Sequence, residues 1–253
     1  TGLRATGAAP GPAGEGEFRG GLAAQVVLPE EGGPEVVVVV VPGGGWRTAN
    51  PAGLLPLAEH LTGHGAATVT ITYRTASTGA AYPVPAQDVA CAVAFAADQV
   101  PEVPVVVLGH SAGAHLAALV ALEPGHQVDC PYPERSADAV VGLAGPYDVA
   151  ATPELAEPLF GVELDQDPQA WADGNPLTWV QARPEVPFLL VHGQEDAVVL
   201  PGLSEQLAAA LTAAGHEVQT VLLPGVDHLQ VIHPEVAGDL VVDWLTELGP
   251  ASP

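Results

Sequence analysis

The sequence predicts an α/β fold, with a mostly parallel central sheet and helices on both of its faces. Three observations predict it. Short β-branched runs alternate with amphipathic helical stretches. The run Val36–Val41 is apolar at every position, as expected of a strand buried on both faces. Several of the strand-like runs lead into loops that carry Gly, Ser, His or Asp, and sites on open α/β sheets gather at such strand ends. A chain of 253 residues is ordinary for one domain of this class and can bury a real core.

The elements follow in order. Residues 1–16 are rich in Gly, Ala and Pro and are expected to be mobile. Gln25–Leu28 is a candidate strand, and Val36–Val41 is a second that ends at Pro42 and three glycines. Ala52–Thr62 fits a helix, and Thr68–Tyr73 a strand rich in Thr and Val. Ala86–Ala97 reads as a helix with Val89, Val93 and Ala97 on one side. Val105–Leu108 is the next strand and runs straight into Gly109–Gly113 and a helix bearing Leu116, Leu119 and Val120. Strands are expected at Ala139–Leu143, Phe188–Val191 and Val218–Leu222. Leu203, Leu207 and Leu211 form a helical stripe, and Val236, Leu240, Trp244 and Leu248 form another in the last helix. The segment 145–186 breaks the rhythm with many Pro, Asp and aromatic residues and is too long for a tight connection. It is expected to form a small cap or active-site wall within a single domain spanning 1–253.

Charge narrows the partners. Thirty acidic residues face six Arg and no Lys, for a net charge of −24. Such a field repels phosphate, so neither nucleic acid nor an anionic membrane is an expected partner. The lack of Lys and Met beside abundant Ala, Gly, Pro and Val fits a coding bias and carries no chemistry. No apolar run reaches the roughly 18 residues of a membrane span. The chain starts at Thr1, consistent with a processed protein, and secretion is favoured over the cytoplasm. Cys91 and Cys130 permit one disulfide, with two buried thiols as the alternative. Neither has a CxxC partner, so zinc and redox roles are not expected, and neither a metal nor a cofactor is foreseen.

Gly109-His110-Ser111-Ala112-Gly113 carries the chemistry. It fits the G-x-S-x-G pattern in the strand–turn–helix context that the pattern requires. The sharp turn exposes the serine, and the helix N-terminus supplies free N–H groups beneath it. A serine hydroxyl needs a base. His228 follows the strand Val218–Leu222 and is the first candidate, with His233 as its rival; His115 is expected to be structural. The orienting acid should follow the preceding strand, where Asp196 lies in His192-Gly193-Gln194-Glu195-Asp196; Glu195 and Asp148 are the alternatives. Pro42-Gly43-Gly44-Gly45-Trp46 follows the strand Val36–Val41, and its bare backbone suits an oxyanion hole. The N–H groups of Gly44, Gly45 and Ala112 are the expected donors. Trp46, His110, Tyr147 and Trp179 are candidates for the substrate pocket. A Walker-type phosphate loop fails for want of Lys.

With these motifs together, and Gly113-Ala114-His115-Leu116 added, the chain resembles the esterase/lipase branch of the α/β-hydrolases from Val36 to Leu248. It is similar to hormone-sensitive-lipase-like and feruloyl-esterase-like carboxylesterases and to kynurenine formamidases. The resemblance implies an acyl-enzyme mechanism with Ser111 as nucleophile, His228 as base and Asp196 as its orienter. It also implies a small-molecule ester as substrate; a monomer or homodimer is expected. Carboxylester cleavage on small or aromatic neutral esters is the first expectation. A formamidase, a secreted polyester or cell-wall esterase, and a non-enzymatic binder are the alternatives. Family members usually carry His before the glycines; here Pro42 stands there, so this loop must be braced differently.

Overall fold

A computed structural model describes residues 14–248. The chain opens with a hairpin of β1 (Gly14–Arg19) and β2 (Leu22–Val27). Of the segment expected to be mobile, residues 14–16 therefore belong to a strand, and residues 1–13 lie outside the described residues. That strand escapes a pattern search because Phe18 is its one buried residue and its register shifts between Glu17 and Arg19.

The remaining elements alternate. They are β3 (Val37–Val41), α1 (Leu55–Gly63), β4 (Ala67–Ile71), α2 (Val84–Gln99), β5 (Val105–His110), α3 (Ala112–Leu122) and β6 (Ala139–Leu143). After them come α4 (Pro153–Phe160), α5 (Pro168–Asp173), β7 (Phe188–Gly193), α6 (Gly202–Ala214), β8 (Val218–Leu223) and α7 (Asp239–Glu247). The eight strands form one sheet in the order β1-β2-β4-β3-β5-β6-β7-β8. The β1–β2 and β2–β4 pairs are antiparallel and the rest are parallel, as expected of a mostly parallel sheet.

The five valines of β3 show why that run does not alternate. Val37, Val39 and Val41 enter the core formed with α2 and α3, while Val38 and Val40 enter the core on the other face, under α1 and α7. Helix α3 is buried along its whole length, and its Ala and Gly residues let it lie close to the sheet. The segment 145–186 carries α4 and α5. Its Tyr147, Leu159, Phe160 and Trp171 join the α2/α3 core, with Phe160 stacked on Trp171 at 4.1 Å. Cys91 of α2 is bonded to Cys130 as a disulfide, which ties α2 to the loop after α3. Among the described residues no helix is long and apolar enough to cross a membrane.

Candidate active site

Strand β5 ends at His110 and α3 begins at Ala112, so Ser111 alone makes the turn. It does so at φ 54°, a value that L-residues rarely adopt. The two glycines of the motif make this turn sterically feasible. A Cβ on Gly109 would overlap the Gly113 carbonyl, and a Cβ on Gly113 would overlap the Val41 carbonyl of β3. The Ser111 N–H donates to Leu143 O at 2.9 Å, which fastens the turn to β6.

Three side chains from separate strand ends then meet. Ser111 Oγ lies 3.0 Å from His228 Nε2, and His228 Nδ1 lies 2.7 Å from Asp196 Oδ2. Local hydrogen bonds hold each loop. Asp227 Oδ1 accepts the N–H groups of Leu229 and Gln230, which folds the turn that presents His228. The Glu195 N–H donates to Val226 O and joins the β7 and β8 loops. Asp196 Oδ1 accepts the N–H groups of Val198 and Val199, both at 2.9 Å. Burial raises the Asp196 pKa, but these N–H groups and His228 outweigh it and hold the carboxyl below its usual range.

His192, to which the sequence assigns no role, joins this cluster. It is fully buried, and its Nε2 lies 3.1 Å from Asp196 Oδ2 and 2.9 Å from Val199 O. Its Nδ1 accepts the Ser204 hydroxyl at 2.7 Å, which assigns the proton to Nε2. Burial lowers its pKa, so it donates as a neutral ring. The signal for it was available, because His192 and Asp196 are four positions apart at one strand end.

The rivals lie elsewhere. Asp148 accepts Asn175 and Gln206 side chains, His233 is half exposed beside Glu235, and Glu195 is exposed. His110, expected at the pocket, instead braces His228 from behind: its Nε2–H donates to His228 O at 2.9 Å. Burial, followed by the neighbouring His228, pushes its pKa down to about 4. Trp46 and Tyr147, also expected at the pocket, are core side chains at 1% and 0% exposure. Trp46 lies edge-on to His115, and Tyr147 fills the space beside Gly142 and Gly145. Trp179 is partly buried, and its indole N–H donates to Asp173 O. His115 Nε2–H donates to Gly174 O at 2.9 Å, linking α3 to the 145–186 segment.

The glycine loop abuts the serine. A Cβ on Gly43 would come within 3.0 Å of Ser111 Cβ and of His110. Gly44 and Gly45 take φ +132° and +58°, in the range that favours glycine, and a Cβ on Gly44 would overlap Thr48. Among the described residues, no hydrogen-bond partner occupies the N–H groups of Gly44, Gly45 or Ala112. The stretch that follows β4 braces this loop. Tyr73 Oη donates to Pro42 O at 3.0 Å, and Thr75 and Ser77 hydroxyls donate to Arg47 O. The Ala76 N–H donates to Trp46 O. No local sequence signal announces these partners, which come from residues about thirty positions away.

This arrangement can hold a hydroxyl against a base whose far nitrogen is tied to a carboxylate, next to free N–H groups. The BD-FAE family matches residues 25–211. The probable carboxylic ester hydrolase LipM of Mycobacterium tuberculosis is 29% identical over 176 residues, which is 62% of this chain and 40% of LipM. Esterase LipQ of the same organism is 27% identical over 225 residues, 81% of this chain and 53% of LipQ. The chain thus spans about half the length of the curated relatives it matches. A truncated carbohydrate esterase from gut microbiota superposes with a TM-score of 0.76 at 22% identity, covering 88% of this chain and 90% of that one. At that identity the likeness speaks for the α/β-hydrolase fold.

Proposed function

The chain belongs to the BD-FAE family, and from that membership we propose that it is a serine hydrolase cleaving carboxylic esters through an acyl-enzyme. The observation that carries the reading is the unbroken hydrogen-bonded row Ser111–His228–Asp196. Ser111 attacks the ester carbonyl while His228 Nε2 takes its proton. Asp196 fixes the proton on His228 Nδ1 and stabilises the imidazolium. Gly44, Gly45 and Ala112 offer N–H groups to the oxyanion, each worth about 3–4 kcal/mol in the transition state. The alcohol leaves with the proton from His228, and water then releases the acid by the same path in reverse.

Exposed apolar side chains near the triad in sequence support the substrate class. Val198, Leu200 and Leu229 are exposed at 61%, 66% and 64%, and each lies within a few residues of Asp196 or His228. Such side chains suit neutral esters with small or aromatic groups. A zwitterionic formamide is less well served. Arg74 is committed to the buried Asp88 through hydrogen bonds of 2.6 and 2.9 Å, so it is not free to bind a substrate carboxylate. The whole of residues 14–248 serves as one catalytic domain in this reading, with 145–186 as its wall. The Cys91–Cys130 disulfide suits an oxidising compartment.

A fluorophosphonate probe should label the native chain at Ser111 and leave Ser111→Ala unlabelled. Equal labelling of both would remove Ser111 from the role. A panel of p-nitrophenyl esters of rising chain length, with N-formylkynurenine alongside, then sorts the substrate. Faster turnover of the formamide than of every ester would reverse the preference.

A further inference from the structure

On the opposite face of the sheet from α3, helix α1 ends in a pair of imidazoles. His60 and His64 stand at i and i+4, so both side chains lie on one face of the helix, with ring centroids 4.4 Å apart. Asp239, the first residue of α7, reaches the same spot: its Oδ1 lies 3.0 Å from His60 Nε2. One ligand-type atom from each of the three residues lies within 4.8 Å of the other two.

Three further features prepare these groups. The His64 Nδ1–H donates to His60 O at 2.8 Å, which leaves the lone pair on Nε2. Metal-binding imidazoles are commonly oriented in this way, by a backbone carbonyl on the far nitrogen. The turn before Asp239, Pro234–Gly238, is π-helical, a local departure that recurs at functional sites. Gly238 then lies so close to His60 that a Cβ there would come within 2.7 Å of the ring. The glycine permits the approach that brings Asp239 to the imidazole.

We propose that His60, His64 and Asp239 form a divalent transition-metal site, of the class that Zn²⁺ fills, stapling α7 to α1. Two imidazole nitrogens and one carboxylate oxygen are a borderline-soft donor set that favours Zn²⁺ over Mg²⁺ or Ca²⁺. Atoms bound to one tetrahedral Zn²⁺ lie about 3.4 Å apart, given bond lengths near 2.0–2.2 Å. The present spacing needs only small side-chain rotations to reach that. His64 and Asp239 are exposed, so an ion enters without unfolding the chain, and water completes its shell. The net charge of −24 concentrates dications at the surface. No metal site was expected from the sequence, because Asp239 lies 179 positions from His60 and only the fold joins them.

The test is Zn²⁺ titration of the full chain against a chromophoric chelator, with thermal unfolding as the second readout. The native chain should take up one tight equivalent, and its Tm should rise by about 5 °C at saturating Zn²⁺. His64→Ala, at an exposed helix end, should lose both responses. Asp239→Asn should weaken uptake at least tenfold, and His233→Ala, outside the cluster, should behave as the native chain. No tight equivalent in the native chain, or uptake unchanged in His64→Ala, would overturn the site. Neither readout depends on esterase activity, so the outcome is separate from that of the Ser111 reading.

Discussion

The Asp196 carboxylate accepts two backbone N–H groups and two imidazoles, whereas the loop Pro42–Trp46, across Ser111, and the Arg47 carbonyl after it are held by neutral hydroxyls and backbone N–H groups. Charge-assisted hydrogen bonds are roughly twice as strong as neutral ones. The acid–base side therefore keeps its geometry against small changes. The side proposed to hold the oxyanion depends on the sum of several weak fastenings. Substitutions that break the first should act as a unit, and those that loosen the second should act in small steps.

The largest expected effect is that of Ser111→Ala. Turnover should fall on the order of 10⁵–10⁶-fold if the three groups act together, measured as kcat on a short-chain p-nitrophenyl ester. Asp196→Asn comes next, at roughly 10⁴-fold. The amide cannot hold His228 in the required tautomer, yet it still fits the pocket lined by Val198 and Val199 N–H. Asp148→Asn should change turnover little, because Asp148 is engaged with Asn175 and Gln206. If that variant were the more harmful of the two, the acid would have to be reassigned.

The same division explains what the sequence made legible. Ser111, Asp196 and His228 could be read because each is a chemically restricted residue type at a strand end, in the order the fold requires. The buried strands were equally plain, since β3 is apolar throughout and β5 is apolar up to its closing Gly109-His110. Strand β1 was hidden by its Gly and Glu residues. Tyr73 and Thr75 were hidden for another reason: a hydroxyl that braces a distant carbonyl looks like any other strand-end residue. Trp46 and Tyr147 misled in the opposite sense. An aromatic residue next to a catalytic loop suits a pocket or a core equally well, and here packing took both.

Acid should test both sides at once. Burial pushes His110, behind the base, and His115, beside Trp46, each down to a pKa of about 4. In the unfolded chain each returns to about 6.5. The unfolded state therefore binds more protons between those values, and stability falls as pH drops from about 6.5 to 4. The expected loss is on the order of 2–3 kcal/mol per histidine. Asp196, held below its usual range, adds a further loss only as pH falls below about 4. Urea midpoints at pH 7.5, 6, 5 and 4.5 measure this, and His115→Gln should flatten part of the slope. A midpoint that stays level from pH 7.5 to 4.5 would mean that both rings accept protons in place.

The smallest effect is the one that separates the two sides most sharply. Tyr73→Phe keeps the buried ring and removes only the hydroxyl that donates to Pro42 O. A neutral hydrogen bond contributes about 0.5–1.5 kcal/mol, so turnover should fall roughly three- to tenfold. The loss should appear in kcat with KM nearly unchanged, because the loop's N–H groups matter most when the oxyanion forms. Adding Thr75→Val, which removes a second hydroxyl from Arg47 O, should deepen it further. Were both variants silent, the packing of Trp46 against His115 would suffice to hold the loop, and the oxyanion side would prove as firmly built as the side that holds the base.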